Sequence, residues 1–194
     1  MSLKEQVYSV LIVSASEKIN QALSELFTCP LYAPVQFVPH ISAAKRALAE
    51  REFDFVIVNA PAADDMGIRF AVDTVDASPS VVLFLIKAEQ YGDAYDLLAQ
   101  HGVFLLQKPI AKSMLSAAAE WLISARERIR KTEKKTLSIE EKMNEIRLVN
   151  RAKWLLISEL NMTEAEAHRL IEKQALDHCI SKRRAAEEII RLYG

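Results

Sequence analysis

Beyond Pro109 the sequence contains no proline, and its only glycine there is the terminal Gly194; all six prolines and three of the four glycines fall in the first 109 residues. Hairpins and tight turns need those residues, so the segment from Ile110 to Tyr193, rich in Ala, Glu, Lys, Arg and Leu, reads as helix throughout. Cysteine is equally scarce. Cys29 and Cys179 lie far apart, which offers neither a disulfide framework nor a CxxC zinc knuckle, and a reduced, cytoplasmic setting is the expectation. No apolar run approaches the roughly 18–20 residues that span a bilayer, and no basic segment with a following apolar stretch opens the chain. Neither a membrane-spanning helix nor a secretion leader is expected.

Net charge is also nearly absent, at -1 over 194 residues, but it is unevenly divided. Residues 1–125 carry 9 Lys and Arg against 14 Asp and Glu, and residues 126–194 carry 16 against 12. The second part is the one suited to a polyanion.

What is present in the first part is alternation. Apolar, β-branched runs at Val7–Val13, Val35–Val38, Phe53–Val58, Val81–Ile86 and Val103–Leu106 are separated by helix-period segments near 16–27, 41–50, 66–76 and 89–100, with another from 112 onward. Runs that are apolar at nearly every position are buried on both faces, as in a parallel sheet covered by helices. Five such units predict an α/β, flavodoxin-like doubly wound (βα)5 domain over 1–125, whose active edge is the carboxyl ends of the strands.

The predicted strand ends read Ser14-Ala15 after the first, Asn59-Ala-Pro-Ala-Ala-Asp-Asp-Met-Gly67 after the third, Lys87 after the fourth and Lys108-Pro109 after the fifth. This arrangement resembles the receiver domain of bacterial response regulators. The resemblance implies a phosphoacceptor at 59, a metal-holding acidic pair at 14–15, a hydroxyl at 87, an aromatic at 105 and a phosphoryl-contacting lysine at 108, often followed by a cis bond. The sequence has Asn59, Ser14, Ala15, Lys87 and Leu105 instead, and keeps Lys108 and Gly67. A hydroxyl and a methyl do not replace the anionic oxygens that Mg²⁺ requires, and an amide is no carboxylate nucleophile. The expectation is a pseudo-receiver without phosphorylation chemistry, cofactor or metal. Asp64 and Asp65 read as helix-capping carboxylates rather than as a replacement metal site. Lys87 and Lys108 either bind an anion, such as an unknown ligand, or pair with Asp64 and Asp65, or Lys108 is a retained turn residue.

From Leu115 a heptad can be read, with Leu115, Leu122, Ile129, Thr136, Met143 and Asn150 in one row and Ala118, Ala125, Thr132, Ile139 and Ile146 in the other. Flanking positions pair Arg128 with Glu133 and Lys135 with Glu140, whereas Lys142 and Arg147 carry like charge. The pattern predicts a parallel coiled-coil homodimer over 115–146, with Leu115, Ala118, Leu122, Ala125 and Ile129 as its dimerisation residues. The alternative is helix five of the receiver domain followed by a solvated charged linker. Ser138-Ile-Glu-Glu141 could cap a new helix and break the seam near 136–138.

The last segment, 139–194, reads as three helices, with Thr163-Glu-Ala-Glu166 as a capping box and Ser181 as a further N-cap. The expected core faces are Ile146, Val149, Ala152, Leu156 and Leu160; Ala167, Leu170, Ile171 and Ala175; and Ala185, Ala186, Ile189, Ile190 and Tyr193. The string Ile146-Arg-Leu-Val-Asn-Arg-Ala152-Lys153-Trp-Leu-Leu156, with Thr163-Glu-Ala-Glu-Ala167, Ala175-Leu176 and Arg184-Ala-Ala186-Glu-Glu-Ile-Ile190 behind it, resembles the ANTAR domain. That family has three-helix RNA-binding modules, commonly fused to receivers, which bind leader RNA stem-loops and prevent transcription termination. Where the family often has glycine after the lysine, this chain has Trp154. The resemblance implies a non-enzymatic antiterminator with RNA as partner, and Arg147, Arg151, Lys153, Arg169, Lys173, Lys182, Arg183 and Arg184 are the candidate RNA contacts. Trp154 and Tyr193 either stack on loop bases or pack in the core. His168, His178 and Cys179 have no workable zinc spacing. The competing readings are a protein-interaction or sequestration module and, with no recognition-helix signature, DNA binding.

Overall fold

The computed structural model describes residues 6–59 and 65–194. The apolar runs become parallel strands β1 (Tyr8–Val13), β2 (Tyr32–Val38), β3 (Phe55–Val58), β4 (Val81–Lys87) and β5 (Phe104–Lys108). They alternate with helices α1 (Glu17–Leu26), α2 (Ile41–Glu50), α3 (Asp65–Ala77) and α4 (Tyr91–Gln100). Strand order β2-β1-β3-β4-β5 is the doubly wound order. The three inner strands are buried at essentially every position, which is why their sequences are unbroken apolar runs; the edge strands β2 and β5 alternate with exposed residues.

Successive strand residues point to opposite faces and build two cores. Leu11, Val13, Val56, Val58, Val82, Phe84 and Ile86 pack with Ala44, Ala47, Phe70, Ala71, Ala94 and Leu98 of α2, α3 and α4. Tyr8, Val10, Ile12, Phe55, Ile57, Leu83 and Leu85 pack with Leu23 of α1 and with Leu115, Ala118, Ala119 and Leu122.

Those last four belong to α5 (Lys112–Leu160), a single uninterrupted helix of 49 residues. Its course corrects the dimer assignment. Leu115, Ala118 and Leu122 are buried against the sheet of their own chain, and Ala125 and Ile129 pack partly against the same core. Leu115, Ala118 and Leu122 thus fill an intramolecular interface instead of an intermolecular seam, while Ala125 and Ile129 keep part of their surface exposed. The capping box at Ser138 is not used, and no break occurs at 136–138.

The chain divides into compact units 1–130 and 131–194. In the second, α5 is joined by α6 (Glu164–Asp177) and α7 (Lys182–Tyr193). The Thr163–Glu166 capping box forms reciprocally, and the Ser181 hydroxyl accepts from the Arg184 amide. Asn161 and Cys179 take the left-handed conformation at the ends of α5 and α6, a common helix terminator that leaves no glycine signature here. The core comprises Ala152, Leu156, Ala167, Ile171, Ala175, Ala185, Ala186 and Ile189. Ile146, Leu160 and Tyr193, expected within it, are exposed; Leu160 and Tyr193 are the last residues of their helices, and Ile146 lies on α5 well before the bundle core that begins near Ala152. Among the described residues no helix is long and apolar enough to cross a membrane.

Candidate functional site

At the carboxyl edge of the first unit, Ser14 follows β1 and Asn59 follows β3. Both are buried, and their backbones continue the sheet: the Ser14 amide donates to the Val38 carbonyl at 2.9 Å and the Asn59 amide to that of Val13 at 2.8 Å. Their side chains join a directed chain. Lys108 Nζ donates to Asn59 Oδ1 at 2.6 Å, Asn59 Nδ2 donates to Ser14 Oγ at 2.9 Å, and Ser14 Oγ also accepts from the Ser16 amide at 3.2 Å. Burial, and then the neighbouring charge of Lys87, lower the Lys108 amine below the ordinary lysine value. Lys87 itself is exposed and Ala15 offers no ligand. Leu105, where an aromatic would be expected, packs partly against the core. The Lys108–Pro109 bond is cis, as the resemblance implied. Among the described residues no three His, Cys, Asp or Glu side chains converge on a possible metal position. Asp64 lies outside the described residues, and of Asp65 only its place at the start of α3 is described. What the described groups form is a hydrogen-bonded cationic-to-neutral relay in place of a carboxylate cluster.

A second polar cluster lies at the opposite, amino-terminal pole of the sheet and was not anticipated. Asp54, just before β3, accepts on Oδ1 from Arg126 Nε and Arg130 Nη2, each at 2.8 Å. Its Oδ2 accepts from the Ser9 amide at 2.9 Å and the Ser9 hydroxyl at 3.1 Å. Glu127 takes Arg130 Nη1 at 2.8 Å and the Tyr8 hydroxyl at 3.0 Å, and the Arg130 guanidinium lies over the Tyr8 ring at 5.0 Å. Burial pushes the Asp54 carboxyl up, but hydrogen bonds from Arg126 and Ser9 and the charge of Arg130 outweigh it and hold the group below its ordinary value. Burial, followed by the Glu127 contact, raises the Tyr8 hydroxyl to about 12. Here α5 is fastened to the sheet. The sequence signal was an Asp before a buried strand together with arginines at i and i+4, but their separation of more than 70 residues hid the link.

In the second unit the eight basic candidates divide. Lys182 is held by Glu172 at 2.6 Å, and Arg183 by Glu187 at 2.9 Å. The Lys153 side chain is 16% exposed and reaches Glu164 at 3.2 Å. It therefore ties α5 to the first turn of α6 as well as facing outward. Arg147, Arg151, Arg169, Lys173 and Arg184 are exposed and, among the described residues, make no ion pair. The core-packing alternative for Trp154 is overturned: the side chain is 71% exposed. His168 pairs with Glu172 at 3.3 Å.

Comparison with known proteins agrees with this division. Residues 138–190 match the model of the ANTAR domain. The transcriptional regulatory protein PdtaR of Mycobacterium tuberculosis is 33% identical over 89 residues, which is 46% of this chain and 43% of the relative, so less than half of that relative's length is spanned. Among solved structures, the adenylate cyclase from Rhodopirellula baltica superposes with a TM-score of 0.58 at 17% identity, covering 67% of this chain and 97% of that one. The signal receiver domain of an HD domain-containing protein from Pseudomonas fluorescens gives 0.55 at 22% identity, covering 65% and 93%. At such identities the likeness establishes the fold. The chain thus carries a receiver-like fold followed by a segment, 138–190, that matches the ANTAR domain.

Proposed function

We propose that the chain is a dimeric, RNA-binding transcription antiterminator whose receiver has lost its phosphoacceptor chemistry. The observation that carries the reading is the ANTAR match over 138–190, which falls on a helical bundle with five exposed basic side chains that make no ion pair among the described residues. ANTAR modules bind leader stem-loops, and hairpin loops present unpaired bases and closely spaced phosphates to such cations.

The receiver part of the proposal rests on Asn59 and Ser14. Phosphoryl transfer needs a nucleophile and a metal to neutralise developing charge, and an amide hydrogen-bonded to a serine supplies neither. The dimer part rests on α5. With Leu115 to Ile129 engaged in their own domain, the seam moves to Ile139, Met143 and Ile146, which keep the heptad spacing and are exposed. It ends at Lys142 and Arg147, whose like charges would face each other. A constitutive dimer presents two bundles to one RNA, and paired weak contacts on a connected ligand gain ~10²–10⁴ in affinity.

The test is a salt titration with three probes: a leader RNA carrying two hairpins, a random RNA of equal length, and duplex DNA. Preference for the leader that survives rising salt supports the proposal. Equal, steeply salt-sensitive binding to all three, or none, refutes it and leaves a protein-interaction module as the better account.

A further inference from the structure

We propose that Trp154 is a base-stacking residue that takes an unpaired RNA base between α5 and the nucleic acid, an inference that rests on the RNA-binding reading above. Helical phase places Arg147, Arg151 and Trp154 at i, i+4 and i+7, on one face of α5. The core residues Ala152 and Leu156 lie two positions to either side of Trp154, about 200° away around the helix. Trp154 therefore points opposite to the bundle core, and it is 71% exposed. Among the described residues no aromatic ring or guanidinium covers either of its faces.

What surrounds the indole decides the occupant. Along this outward face, C-terminal to the exposed Met143, the sequence reads Arg147, Asn150, Arg151, Trp154 and Ser158, with no carboxylate among them. Arginine and tryptophan are enriched at protein–protein interfaces as well, so charge decides: the strip is cationic with no carboxylate in it, which suits a polyanion rather than a surface of mixed charge. A strip with two cations, neutral hydrogen-bonding groups and one large bare π-surface is complementary to a polyanion whose bases can be splayed out: the arginines meet phosphates and the indole meets a base. Duplex nucleic acid keeps its bases stacked on each other and has none to offer, so the contact selects single-stranded loops over helices. Trp154 also stands at the position where ANTAR sequences often have glycine, so the contact would be an addition of this chain.

The experiment uses the full chain carrying Trp121→Phe, which leaves Trp154 as the sole tryptophan. Its fluorescence is titrated with two probes, an RNA hairpin with a loop of unpaired adenosines and a blunt RNA duplex of the same stem. Quenching by the hairpin but not the duplex is expected. Trp154→Ala should weaken hairpin binding about tenfold and duplex binding hardly at all, with Trp154→Phe restoring most of the loss. Unchanged fluorescence and unchanged affinity in Trp154→Ala, while Arg147→Ala and Arg151→Ala still weaken the hairpin complex, would overturn the stacking role and leave the RNA reading standing. A wild-type chain that binds hairpin and duplex equally would remove both. Circular dichroism of Trp154→Ala should match wild type, because the side chain lies outside the core.

Discussion

Replacing Asp54 by alanine removes the one carboxylate that Arg126 and Arg130 share. Their side chains are only 10% and 17% exposed, so the variant leaves concentrated positive charge where water has little access. Breaking a buried pair by removing one partner costs about 3–5 kcal/mol, because the remaining charge is left uncompensated. Arg130 keeps Glu127 as a partner and Arg126 has a further interaction besides Asp54, which together place the loss toward the lower end, about 3 kcal/mol. In urea unfolding at neutral pH this lowers the midpoint at unchanged slope. In a thermal scan it amounts to about 6–12 °C for a chain of this size. Asp54→Leu combined with Arg126→Met should recover much of the loss, since apolar groups of similar volume need no counter-charge. The pH dependence carries a definite sign. The folded carboxyl titrates below its unfolded value of 3.8, so its stabilisation is complete above the unfolded value and disappears as pH falls through the lowered folded one. The gap between wild type and Asp54→Ala should thus be constant from about pH 5 to 8 and close below about pH 4. A loss under about 1 kcal/mol at neutral pH, the size expected of an exposed pair, refutes the view that this cluster fastens α5.

Three further outcomes follow from the sites. Incubation with acetyl phosphate and Mg²⁺ should add no mass to the intact chain, and a stoichiometric phosphoryl adduct would contradict the Asn59 and Ser14 argument. Ile139→Lys with Met143→Lys should yield folded monomers by light scattering, whereas Leu122→Ala should destabilise the first unit by about 2–5 kcal/mol without changing the oligomeric state; monomeric wild type at micromolar concentration would end the seam proposal. Glu164→Gln frees the Lys153 amine and should tighten leader-RNA binding about two- to threefold, while Lys153→Ala weakens it; no response to either change would remove Lys153 from the RNA contact.

The sheet was legible because its inner strands are apolar at nearly every position, a pattern that two-sided burial requires. The heptad rows were legible as an apolar stripe but not as to what covers it. Leu115, Ala118 and Leu122 recur at three- and four-residue steps, and a sheet and a second helix ask for the same steps. The capping boxes show the same limit: Thr163 forms its box, while Ser138 has an equivalent motif inside a continuous helix. Core packing and outward exposure were both open for Trp154, although its phase against Ala152 and Leu156 already turned it outward. The Asp54 cluster was out of reach, because nothing local in the sequence joins residue 54 to residues 126 and 130.

The relay from Lys108 through Asn59 to Ser14 has an evolutionary consequence. Asn59→Asp by itself would set a carboxylate about 2.6 Å from an amine already in place, giving an ion pair, and among the described residues no group of acidic, His or Cys side chains stands ready to hold a metal. Acids at Ser14 or Ala15 alone would gather charge around a nucleophile that does not exist. On the proposed loss of phosphoacceptor chemistry, restoring one of these groups does not restore the others, and a signal that governs this chain acts by a route other than phosphorylation of residue 59.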